Sequence, residues 1–84
     1  MSKLLPLGDY LLIEPIEKEQ VLVSDDEILC TYGKVLAIGN KADKEFLNKI
    51  VGYEIWGVRT IEIGEKKHYL ISQNSDFLLG EIIL

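Results

Sequence analysis

Short apolar runs separated by turn-forming residues set the pattern of this chain. Tyr10-Leu11-Leu12-Ile13 is closed by Glu14-Pro15, and Gly33-Lys34-Val35-Leu36-Ala37-Ile38-Gly39 is bracketed by glycines with Asn40 extending the turn. Both read as core strands, because runs this apolar fit strands covered on both faces. Val51-Gly52-Tyr53-Glu54-Ile55-Trp56-Gly57 and Lys67-His68-Tyr69-Leu70-Ile71-Ser72 carry β-branched and aromatic residues between turn signals, as strands do. Thr60 and Glu62 alternate with Ile61 and Ile63, a period of two that places one face in and the other out. Gly64-Glu65-Lys66-Lys67 then reads as a hairpin turn.

Helix is nearly absent from the pattern. Residues 42–48 form one short candidate, and Ser75-Asp76 opens another with a cap-like pair before the strand-like Leu79-Gly80-Glu81-Ile82-Ile83-Leu84. Strands at a spacing of about ten residues predict an all-β chain folded as a small irregular β-barrel with short connecting turns. With no repeat, linker or low-complexity stretch, residues 1–84 are expected to make one domain.

Two features do not fit an isolated barrel. Both ends are apolar, with Leu4, Leu5 and Leu7 at one and Leu79, Ile82 and Ile83 at the other, whereas chain ends in water usually fray. The stretch QVLVSDDE at 20–27 sets Val21-Leu22-Val23 in the most polar part of the chain. That triplet is either a strand pairing with residues 27–30 or a segment held ready for a partner.

Composition narrows the function. A chain of 84 residues buries only roughly 60–65% of its unfolded surface, so oligomerisation is an expected source of stability. Cys30 is the single cysteine, which excludes an intrachain disulfide and suits a reducing cytoplasm. Net charge is −5 and the nine basic residues are dispersed, which argues against nucleic acid. The opening MSKLLPLGDY is too short to cross a bilayer, so no membrane association is expected. One His, one Cys and the run Asp25-Asp26-Glu27 do not make a metal or calcium motif, and no cofactor is expected. Cys30 with His68 could pair as nucleophile and base, yet no third group is linked to them and a Cys in an apolar strand is more often an inert small hydrophobe. Tyr53, Trp56 and Tyr69 are read as core aromatics, since the acidic balance opposes a base-stacking platform. The chain is therefore not expected to be an enzyme.

PLGDYLLIEPIE at 6–17, GKVLAIGN at 33–40, KIVGYEI at 49–55 and HYLISQNSDFLLGEI at 68–82 together resemble the bacterial 10 kDa co-chaperonins, the GroES family, in the family's order and over about half the chain. The resemblance implies a GroES-like β-barrel, a heptameric homo-oligomer, and a cytoplasmic subunit that caps a 60 kDa-type chaperonin ring during its ATP-dependent protein-folding cycle. It further implies that Val21, Leu22 and Val23 are the chaperonin-binding tripeptide of a loop. Leu4, Leu5 and Leu7 would pair with Leu79, Ile82 and Ile83 of a neighbouring subunit, against the alternative that the two ends pair within one chain. A second reading from a different class is a ring-forming or monomeric β-barrel interaction module without chaperonin binding.

Overall fold

The structure is a computed structural model that describes residues 4–16, 21–22 and 29–83, with backbone alone at 21, 22, 29 and 30. Seven strands account for most of it: β1 (Tyr10–Pro15), β2 (Val21–Leu22), β3 (Leu29–Ile38), β4 (Ile50–Glu54), β5 (Arg59–Ile63), β6 (Lys66–Ser72) and β7 (Leu78–Glu81). All pairings are antiparallel, in the order β5-β6-β1-β3-β4-β7, with β2 adding to β3 off this path. The all-β expectation holds. Among the described residues the sheet stays open, however, because β5 and β7 do not pair and the barrel expected from the strand spacing is not closed by hydrogen bonds. β7 has only four residues and runs along β4, where the Glu54 N–H donates to the Phe77 carbonyl at 2.9 Å.

β1 and β3 occupy the middle of the sheet, and their apolar stretches at 11–13 and 35–38 supply much of its core, with Glu14 and Lys34 exposed beside them. Leu11 pairs with Ile38 and Leu12 with Ala37, but Ile13 then pairs with Val35. Leu36 is the extra residue of a β-bulge, and the slip lets both Val35 and Ile38 face the core while Leu36 turns outward and is half exposed. The core joins Leu11, Ile13, Val35, Ala42, Val51, Tyr53 and Ile71. Tyr53 meets Tyr69 edge to face, with centroids 5.7 Å apart and planes at 64°, a favoured arrangement of two ring quadrupoles.

The hairpin of β5 and β6 turns at Gly64-Glu65, with Gly64 at φ 65°, and its alternation is as expected: Ile61 and Ile63 are half-buried, Thr60 and Glu62 exposed. Both helical candidates shrink. Residues 42–48 hold a single 3-10 turn at Lys44–Phe46, capped by the Asp43 carboxylate accepting from the Glu45 N–H at 3.0 Å. The stretch after Ser75 is a turn in which the Ser75 hydroxyl accepts from the Phe77 N–H at 3.1 Å and the Ser75 carbonyl accepts from the Leu78 N–H at 3.1 Å. A side chain that satisfies nearby backbone donors favours such turns over helix. Among the described residues no helix is long and apolar enough to cross a membrane.

Candidate functional site

The two motifs nearest the start of the resemblance meet in space. Gly8-Asp9 makes the turn that enters β1, closed by the Tyr10 N–H donating to the Leu7 carbonyl at 3.2 Å. Gly39, at the end of β3, donates its N–H to the Tyr10 carbonyl at 2.9 Å, and the Lys41 N–H donates to the Gly8 carbonyl at 2.8 Å. The backbones approach so closely that a Cβ at Gly39 would overlap the Gly8 carbonyl oxygen. A third segment locks the same junction. Asp9 accepts from the Ser72 hydroxyl at 2.7 Å and from the Asn74 amide at 2.9 Å, while the Gln73 N–H donates to the Asp9 carbonyl at 2.9 Å. The Ser72 and Asn74 bonds hold the Asp9 carboxyl below its ordinary pKa, since both favour the charged form.

This junction aims the preceding residues outward. Along 4–7 the exposure alternates, with Pro6 buried and Leu4 partly so, while Leu5 is 66% and Leu7 83% exposed. Leu4, Leu5, Pro6 and Leu7 line an apolar groove with Tyr10 and Leu70. Apart from the turn bond to Tyr10, no backbone hydrogen bond ties residues 4–7 to the fold among the described residues. At the other end β7 is an outer strand of the sheet. Leu79 and Ile83 are exposed, and Ile82 is half-buried with its N–H donating to the Ile50 carbonyl at 2.8 Å. The six apolar residues read as a subunit contact thus stand at two separate places. No backbone hydrogen bond joins the two ends among the described residues, so the alternative of intrachain pairing is not what the fold adopts there.

Val21 and Leu22 form β2, whose backbone pairs with Cys30 and Leu29 respectively. Val23, the third residue of the candidate chaperonin-binding tripeptide, lies outside the described residues. Cys30 and His68 are far apart. His68 sits on β6, next to Tyr69, which pairs with Ile13, itself paired with Val35; Cys30 lies four residues further along β3 from Lys34 and two strands away. Four residues of strand span about 13 Å and two strand spacings about 10 Å, so the two backbone positions are well separated. His68 is buried, with Nδ1 3.1 Å from the Lys66 carbonyl oxygen. Among the described residues no group of three or more His, Cys, Asp or Glu is placed to hold a metal ion.

One aromatic is placed contrary to its sequence reading. Tyr53 and Tyr69 are core rings, but Trp56 is 78% exposed. The chain leaves β4 through a 3-10 turn at Ile55–Gly57, which carries Trp56 past the end of the sheet instead of along its inner face. Ile55, Phe77 and Leu79 are also exposed at this corner. Sequence reasoning missed the patch because strand periodicity was extended through Trp56; Gly57 was the available sign that the strand ends there.

No protein-family model matches the chain, and no curated protein matches it.

Proposed function

We propose that this chain is a co-chaperonin subunit of the GroES type, assembling as a ring, with seven copies as the resemblance implies, to cap a chaperonin during ATP-dependent protein folding in the cytoplasm. The observation that carries the reading is the junction of PLGD with GKVLAIGN, where Gly39 abuts Gly8 and Asp9 is tied to Ser72 and Asn74. The motifs that resemble the family are thereby one physical unit, and the unit presents the apolar N-terminal segment. An apolar segment with Leu5 and Leu7 outward, and an outer strand with Leu79 outward, are complementary halves of an edge-to-edge contact. Such a contact is heterologous and closes into a ring when its rotation allows.

In this reading Val21, Leu22 and Val23 engage the chaperonin. One copy binds weakly, on the order of millimolar, and several linked copies give firm but reversible attachment. The role is non-catalytic. A second reading, the interaction module without chaperonin binding, is favoured by the pairing of β2 with β3, which gives Val21 and Leu22 a strand role within the fold. Pull-down of a cognate chaperonin with adenine nucleotide, run beside native mass measurement, tests both. Nucleotide-dependent capture by an oligomer supports the first reading, an oligomer without capture supports the second, and a stable monomer removes the ring.

A further inference from the structure

We propose that Trp56 is the anchoring side chain of the subunit contact, covered by residues 4–7 of a second copy. The proposal rests on the ring reading and adds to it a residue outside the two apolar ends.

The chain has a single Trp, and large aromatics left in water mark surfaces that another molecule covers. Trp56 is 78% exposed, and it is not isolated. Gly57 lies against the Phe77 ring so closely that a Cβ there would overlap it, and Glu54 and Phe77 share a backbone hydrogen bond of 2.9 Å. The turn bearing Trp56 is therefore held at the start of β7, where Phe77 and Leu79, two residues apart, are both exposed.

Two outer strands end the main path of the sheet, and they differ in character. β5 presents exposed Arg59, Thr60 and Glu62, the polar cover that discourages association at an edge. β7 presents Leu79 and Gly80 with the Trp56 corner at its start, and its one exposed charge, Glu81 at the far end, is paired with Lys49 at 3.2 Å. An occupant of that edge must be extended, apolar at alternate positions and uncharged, since the chain's net charge of −5 disfavours another acidic strand. Residues 4–7 of a second copy suit that edge: they carry no charge, expose Leu5 and Leu7 on either side of buried Pro6, and keep a backbone not used by the sheet among the described residues. Buried aromatics at the centre of a contact carry a large share of its strength, and Trp is enriched among them.

The test uses the intact protein and its own fluorescence. At concentrations where native mass measurement shows the oligomer, Trp56 emission is expected at short wavelength, moving to a water-like maximum in step with dissociation on dilution. Trp56→Ala is expected to raise the concentration of half-dissociation about thirtyfold or more, with the circular dichroism of the monomer unchanged, and Trp56→Phe to restore most of the assembly. An oligomer with water-like emission, or a Trp56→Ala protein that assembles at wild-type concentrations, overturns the role of Trp56 and leaves the ring standing. A wild-type protein that is monomeric throughout overturns both. Should Trp56→Ala misfold, the emission of the wild-type oligomer decides alone.

Discussion

Asp9 and Ser72, 63 positions apart, share a hydrogen bond of 2.7 Å that ties the entrance of β1 to the end of β6. With the Asn74 amide on the same carboxylate oxygen, it lowers the Asp9 pKa from the ordinary 3.8. A carboxyl depressed in the folded state stabilises fully above its unfolded pKa and loses that contribution as pH falls through the lower folded value. Asp9→Asn is thus expected to reduce stability at neutral pH and to flatten its decline below about pH 4. Urea midpoints of both proteins across the acid range check this; equal slopes would show that the bonds do not favour the charged form.

Gly39→Ala is expected to destabilise the fold by about 1–3 kcal/mol or more, because its Cβ meets the Gly8 backbone oxygen and not a side chain that could move aside. For a domain of this size each 1 kcal/mol lowers the melting temperature by roughly 4–8 °C. A thermal melt unchanged from wild type would contradict the close approach.

Leu79→Asp separates assembly from folding. Leu79 is exposed on an outer strand, so the substitution leaves the monomer's stability nearly unchanged, within about 0.5 kcal/mol. In an assembled contact the carboxylate would be buried without a partner, which is costly. Sedimentation should find monomer where wild type is oligomeric. An intact oligomer would place the contact elsewhere.

Leu22→Asp tests the chaperonin reading. Burying a Leu against a partner contributes roughly 1.5–3 kcal/mol per copy, repeated around a ring, so chaperonin capture should be abolished while the melt holds. A collapsed melt would instead mean that β2, already paired to Leu29 by its backbone, packs Leu22 as a structural strand. A normal melt with normal capture would remove the tripeptide from the contact.

What the sequence determined by itself was local. β1, the 33–38 part of β3 and the β5–β6 hairpin were legible, because alternation, flanking glycines and β-branched residues act within a few positions of the strand they specify. The tertiary structure decided the rest. β3 runs back to Leu29 because β4 offers partners from Glu54 to Ile50 for residues 30–34 and Leu22 of β2 pairs with Leu29; the sequence offered a strand at 27–30 only as one of two readings. Residues 42–48 have helical composition, yet the Asn48 N–H donates to Val35 and the Val35 N–H to Lys49, so docking on β3 consumes the groups a helix would use. Trp56 looked like a core ring and stands in water, and β7 became an outer strand, for a single reason. Burial depends on which distant segments close over a residue, and at this corner the fold brings none.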